Sequence, residues 1–236
     1  MLKAKMNKGV HVNYQRLISG YPALFSNFNA PIRIITDHKR VTSWQKQRRV
    51  EFTEQGKPLH WATIGVVLDD PYVLAVRDLV EFPDGWQNGY IRVINRADLE
   101  GGQGTVVLPM TESKFLLLYQ FRHATRSWHY EVPRGFGQPG TSAEQQAHNE
   151  ILEEVGGKIA ELVDLGILHN NTGLEGNNVK LFFARLASVG ELAKVEGIER
   201  ILWVSLGELE EMIASGKITD GFTIAAYTRA KLRGLL

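Results

Sequence analysis

The hydrophobic and polar positions of this chain fall into two regimes. Over residues 1–60, aromatic and basic residues are mixed without a sustained period, as in HVNYQRLISGYPALFSNF and PIRIITDHKRVTSWQKQRRVEF, and Pro22 and Pro31 interrupt any long helix. This stretch reads as an ordered extension. From Trp61 the apolar residues gather into short strand-like runs: TIGVVL, YVLAVRDLVEF, GYIRVI, TVVLPM and FLLLYQFR, separated by the turn clusters DDP, PDGWQNG and EGGQG. A helix is predicted from Thr141 through AEQQAHNEILEEV to Gly156 and Gly157. Thr141 is its expected N-cap, Glu144 completes a capping box, and glycine follows the last turn. Further strands follow in LVDLGIL, VKLFFARL and RILWVSL. Two amphipathic helices, LGELEEMIASGKI and GFTIAAYTRAKLRGLL, then close the chain, split by residues 216–221. Strands ahead of and around a few helices predict an α+β fold.

Composition narrows the chemistry. The chain has no cysteine, which excludes disulfides, thiolate metal sites and thiol nucleophiles and leaves carboxylates, hydroxyls, histidines, lysines or a metal held by oxygen and nitrogen. The longest apolar runs are too short to span a bilayer, and no apolar stretch follows the basic start MLKAKMNKGVHVNYQ, so a cytoplasmic protein without a membrane segment is expected. The formal net charge of +1 hides an asymmetry: residues 1–60 hold 11 Lys and Arg against 3 Asp and Glu, net +8, and the remainder holds 16 against 23, net −7. Such a basic segment suits nucleic acid or a phosphorylated ligand. It equally suits plain pairing with an acidic surface, which the scatter of its charges favours.

Glu150, Glu153 and Glu154 stand at i, i+3 and i+4 of the predicted helix and therefore share one side of it. Their mutual repulsion is relieved either by solvent or by a hard divalent cation such as Mg²⁺ or Mn²⁺. Just upstream, EVPRGFGQPG runs a strand end into a loop with Gly135, Gly137 and Gly140, which lets backbone approach a phosphate or a metal.

Taken whole, EVPRGFGQPGTSAEQQAHNEILEEVGG resembles the Nudix box: Gly, five residues, Glu, seven residues, Arg-Glu, an apolar residue, any residue, Glu-Glu, any residue, Gly, and an apolar residue. Gly135, Glu150, Ile151, Glu153, Glu154 and Gly156 occupy matching places. Thr141 stands where the first glutamate belongs, Asn149 where the arginine belongs, and Gly157 where the last apolar residue belongs. The departing pair typically forms a salt bridge in the family, and its joint loss leaves no buried charge unpaired. Most of residues 70–236 is similar to the ADP-ribose pyrophosphatase branch of this superfamily, through VRDLVEFPDG, GYIRVI, FLLLYQFRHAT, WHYEVPRG and WVSLGELEEMIASGKITDGFTIAAY.

The resemblance implies a Nudix-type α/β/α sandwich with a mixed sheet, preceded by an N-terminal strand-rich region. The expected divisions are a basic extension over 1–60, a strand region over 61–104 that dimerises, and a Nudix domain over 105–236. It implies hydrolysis of a nucleoside diphosphate linked to a group X, ADP-ribose or a related nucleotide sugar, by a homodimer using Mg²⁺ or Mn²⁺. Glu150, Glu153, Glu154 and the carbonyl of Arg134 are the implied metal ligands, and Arg122, Glu131, Arg134 and Gly135 the implied substrate contacts. A catalytic glutamate expected in NNTGLEGNNVKLFFA falls in register on Asn177, which is no base. Glu175 is the nearby replacement, with His123 and His169 as alternatives. Trp86, Tyr90 and Trp128 are candidates to stack on a nucleobase, against a plainer role in core or interface packing. The competing expectation is a catalytically weak nucleotide-binding regulator whose basic segment alone would contact nucleic acid.

Overall fold

The alternating and the continuous apolar runs of the chain end up in different sheets. The computed structural model describes residues 13–190 and 197–236, in two units: 13–99 with 172–176, and 100–171 with 177–236. The start of the basic segment, on which the expectation of no leader rests, lies outside the described residues.

In the first unit, helix α1 (Tyr14–Gly20) begins on Asn13, whose side chain accepts from Arg16 N, and leads through a 3₁₀ turn to strand β1 (Arg33–Ile34). A 17-residue helix follows, α2 (His38–Glu54), N-capped by Asp37. Then come β2 (Gly65–Asp69), β3 (Val73–Glu81), β4 (Gln87–Asn95) and the single turn α3 (Arg96–Leu99). Strand β3 is the centre of this antiparallel sheet, with β4 along one side and β1 and β2 end to end along the other. Its burial alternates over Val73–Val76, as a strand with one covered face requires. Residues 172–176 pair with β4, where Val93 N donates to Leu174 O and Gly176 N to Val93 O.

Helix α2 is the longest of the elements that the sequence pattern does not predict, which include the short α1 and α3. Val41 is its only buried residue, so no apolar stripe marks it. Polar contacts fix it instead: Ile64 N donates to Gln45 Oε1 at 2.8 Å, Arg48 to Asn88 Oδ1 at 3.1 Å, and Arg40 to Glu81 at 2.8 Å. Pro22 and Pro31 both precede it and so do not interrupt it.

The second unit holds the seven-stranded sheet. Strands β5 (Gly104–Thr111), β6 (Lys114–Arg122), β7 (Ser127–Glu131) and β8 (Arg134–Gly135) lead into helix α4 (Ala143–Val155). Strands β9 (Lys158–Leu168), β10 (Val179–Ser188) and β11 (Ile198–Val204) and helices α5 (Leu206–Ala214) and α6 (Gly221–Leu232) follow. The order is β11-β6-β5-β10-β9, with β10 parallel to β5 and the other pairs antiparallel.

Both faces of this sheet are covered. Val107, Leu116, Leu118, Phe182 and Ala184 pack with Ala147, Ile151 and Val155 of α4, while Val106, Leu108, Phe115, Leu117, Leu181 and Phe183 pack with residues of α5 and α6. Odd and even positions of a strand feed opposite layers, which is why FLLL and VKLFFARL read as unbroken apolar runs. The result is the expected α+β fold, a mixed sheet between helix layers. No helix among the described residues is long and apolar enough to cross a membrane.

Candidate active site

Strands β5 and β6 leave their hairpin at Met110 and Phe115 and diverge, and the chain after β7 crosses the gap between them. Glu131 still pairs with Leu118 on β6; Val107 N then donates to Pro133 O at 2.9 Å, and Arg134 and Gly135 pair with Val106 and Thr105 on β5. This crossing holds residues 131–135 on rigid strand backbone.

Three of the expected substrate contacts meet on it. Glu131 is only 2% exposed, and its Oε2 accepts from Arg122 Nε at 2.8 Å, from Arg122 Nη2 at 2.5 Å and from Arg134 Nε at 3.3 Å. Two guanidiniums therefore converge on one carboxylate oxygen, while both arginines stay partly open to solvent. Arg134 also lies 4.8 Å over the ring of Phe222 and 3.9 Å from Asp220 Oδ1. Asp220 caps α6 by accepting from Thr223 N and Oγ1, and Thr223 Oγ1 in turn accepts from Val132 N at 3.1 Å. The start of α6 is thus bonded to the crossing. Sequence reasoning missed Asp220, Phe222 and Thr223; their only local signal is an Asp-x-x-Thr N-cap, which says nothing of a partner some ninety residues earlier.

Helix α4 begins one residue later than expected. Ser142, not Thr141, is the N-cap and accepts from Gln145 N at 3.1 Å. Thr141 instead closes a turn, its N–H donating to Gln138 O. Asn149 accepts from Gln145 Nε2 at 3.0 Å on the exposed side and makes no bond to Thr141, so the departing pair of the box is replaced by the serine cap. The predicted glycine stop holds: Gly156 takes φ 60°, the left-handed conformation that a side chain disfavours.

The three glutamates do not share one environment. Glu150 and Glu154, one turn apart, are 8% and 4% exposed, whereas Glu153 points to solvent. A helix turns 100° per residue, so i and i+4 are buried on one line while i+3 lies off it. Glu150 sits directly on Gly135: a Cβ there would fall inside its carboxylate. That close approach is the physical reason for glycine at the head of the motif. Gln146, one turn before, is 1% exposed and donates Nε2 to Glu150 Oε1 at 2.5 Å. It too escaped sequence reasoning, since a glutamine on a polar helix carries no signal.

Among the described residues, no three His, Asp or Glu side chains converge as a ready-made metal cage. Helix α4 offers two buried carboxylates one turn apart, those of Glu150 and Glu154. An all-oxygen, doubly anionic set fits a hard divalent cation, which would offset the cost of holding two carboxylates out of water.

The other expected residues have the following surroundings. Glu175 belongs to the segment paired with β4, opposite Val93, and is half-buried there. His169 is exposed, and His123 shares a hydrogen bond with Arg126 at 3.0 Å. Asn177 is 5% exposed. Trp86, Tyr90 and Trp128 are 53%, 41% and 43% exposed, so none is a core residue; Trp86 stacks on Phe82 and Trp128 on Tyr119.

The buried Glu150 and Glu154 stand on the helix that follows the glycine loop, and the strand leading into that loop carries the arginine cluster on Glu131. Residues 102–222 match the family model of the NUDIX domain, and the chain belongs to the Nudix family. It is 27% identical over 177 residues, covering 73% of the chain and 89% of the relative, to an ADP-ribose pyrophosphatase of Bacillus subtilis (strain 168). A second protein of that organism, named for a proposed 8-oxo-dGTP diphosphatase activity, is 34% identical over 109 residues, 45% of the chain and 68% of the relative. The crystal structure of an ADP compounds hydrolase superposes with a TM-score of 0.62 at 18% identity, covering 72% of this chain and 91% of that one, which establishes likeness of fold.

Proposed function

We propose that this Nudix pyrophosphatase hydrolyses a nucleoside diphosphate linked to a group X, ADP-ribose or a related nucleotide sugar, to nucleoside monophosphate and X-phosphate. The observation that carries the reading is the buried Glu150 seated on Gly135, with buried Glu154 one turn further along α4, and the Arg122, Glu131 and Arg134 cluster on the strand leading to that glycine. The ADP-ribose pyrophosphatase relative, aligned over most of its own length, supports the substrate class.

Glu150 and Glu154, with the Arg134 carbonyl, would hold Mg²⁺ or Mn²⁺, and Glu153 is the third carboxylate of the set. Such a cation, when bound, polarises the diphosphate and lowers the pKa of water. The remaining work falls to the chain's own groups. Arg122 and Arg134 keep N–H donors beyond those spent on Glu131 and are oriented to bind diphosphate oxygens in pairs. Glu131 fixes both guanidiniums in place before substrate arrives, so less ordering is left to be done at the moment of reaction. Asn177, in register with the family's loop glutamate, lacks a titratable group, so Glu175, two residues earlier, is the candidate general base, with His123 and His169 as alternatives. Exposed apolar side chains on β2 and β4, Val67, Leu68, Tyr90 and Ile91, favour a homodimer through that sheet, which light scattering in solution checks.

A panel of ADP-ribose, other nucleoside diphosphate sugars, NADH, dinucleoside polyphosphates and 8-oxo-dGTP, incubated with purified protein and Mg²⁺ or Mn²⁺, tests the reading. Release of nucleoside monophosphate from ADP-ribose or a nucleotide sugar is expected. Asn177 in place of a base favours the alternative of a nucleotide-binding regulator, and binding without product from any member would establish that instead.

A further inference from the structure

We infer that Gln146 is a positioning residue that holds the Glu150 carboxylate in its working orientation, by a hydrogen bond that adds no charge. The inference rests on the reading above and deepens it.

Gln146 lies at i−4 and Glu154 at i+4 from Glu150 on α4, so the three side chains form one line along the helix, and all three are buried. Its Nε2 donates to Glu150 Oε1 at 2.5 Å. The amide orientation follows from its partner, because turning it over would set a carbonyl oxygen against a carboxylate. Its own Oε1 is buried and accepts no hydrogen bond from any protein group. A buried acceptor left without a protein donor destabilises the fold, so an apolar side chain of the same length would serve packing better. Stability therefore does not explain a glutamine at this position.

The carboxylate it grips explains it. Glu150 rests on the Cα of Gly135, so the glycine backbone limits the carboxylate on one side and the amide holds an oxygen by a directed bond. A lysine or arginine at position 146 would also orient Glu150, but its positive charge would cancel part of the negative charge of the Glu150 and Glu154 pair and compete with a divalent cation. A neutral carboxamide fixes geometry while both carboxylates keep their full attraction for that cation. Asn149, at the box's arginine position, is turned to Gln145 and takes no part. Orientation of Glu150 thus passes to a side chain outside the motif's own pattern.

The test is Gln146→Met, which keeps length and volume and removes the donor, with Gln146→Leu as a second donor-less variant. Mn²⁺ is titrated into the substrate-free protein and followed by electron paramagnetic resonance, alongside the thermal midpoint, kcat and KM. The inference expects Mn²⁺ affinity and kcat each to fall by roughly 10- to 100-fold. KM is expected to stay near wild type, because Arg122 and Arg134 are untouched, and the thermal midpoint to change little, because the bond lost to Glu150 is offset by removal of the unsatisfied Gln146 Oε1. A lower midpoint with unchanged Mn²⁺ affinity and kcat would make Gln146 a packing residue and overturn the inference. Wild-type protein that hydrolyses its substrate while both variants match it sinks this inference alone. Wild-type protein that neither binds Mn²⁺ nor releases product sinks the pyrophosphatase reading along with it.

Discussion

Asp78 and Glu131 are both buried against arginines, and they do different work. Asp78, in the first unit, is 3% exposed and uses both oxygens: Tyr14 Oη donates to Oδ1 at 2.6 Å and Arg92 Nε to Oδ2 at 2.6 Å. Arg92 spends a further N–H on Leu24 O at 2.9 Å, and its guanidinium lies 5.0 Å from the Phe25 ring centre. The group is closed and ties α1 and the 3₁₀ turn after it to the sheet. Burial, reinforced by Asp78, pushes the Tyr14 hydroxyl well above its ordinary pKa, so it remains a donor throughout the physiological range. Glu131, in the second unit, takes two guanidiniums on the single oxygen Oε2, and both arginines remain partly exposed. A buried ion pair whose donors are bonded or, like Arg92 Nη2, shut away from solvent serves the fold. One that concentrates cations and leaves donors over serves a ligand.

The sharpest way to break this contrast is Asp78→Asn, which leaves Arg92 uncompensated in a buried site. A loss of about 3 kcal/mol in the first unit's stability is expected by urea denaturation, with kcat unchanged in folded protein. Arg122→Lys should do the reverse. It keeps the charge but loses the fork, so kcat/KM is expected to fall roughly 30-fold, about 2 kcal/mol, with little change in the denaturation midpoint. Tyr14→Phe removes one hydrogen bond to a charged group and should cost about 1.5 kcal/mol of stability, again without effect on turnover. The smallest effect concerns Asp98, whose carboxyl burial alone pushes up to about 6. The folded state then binds that proton more tightly than the unfolded one, so stability falls as pH rises from about 4 through 6. Asp98→Asn should therefore be more stable than wild type by about 1 kcal/mol at pH 7, after allowance for solvent screening of a half-exposed group, with the gap closing below about pH 4.

What the sequence disclosed follows the same physical divide. Elements with a strong apolar pattern were legible: the strands over 65–95 and 104–122, α4 with its glycine stop, and α5; α6 reads as a helix although its apolar residues follow no helical period. Helix α2 was not, because a single buried valine leaves no period to read. The box fixed which residues meet at Gly135, Glu150 and Glu154. It could not separate Glu153, exposed, from its buried neighbours, since that depends on which side of the helix the fold covers. The N-cap shifted from Thr141 to Ser142 because either hydroxyl satisfies the local rule and tertiary context chose. Asp220, Thr223 and Gln146 were invisible for a related reason. Their partners are set by three-dimensional packing or by a hydrogen bond that no pattern of residue types encodes.

The central claim is that the carboxylates of α4 perform a hydrolysis. Its most direct test is product release from ADP-ribose by Glu154→Gln, a near-isosteric change that removes one buried negative charge. With the fold verified by circular dichroism, the account predicts that metal-dependent nucleoside monophosphate release falls by at least about 100-fold. Hydrolysis at the wild-type rate in this variant would contradict it and move the chemistry off α4.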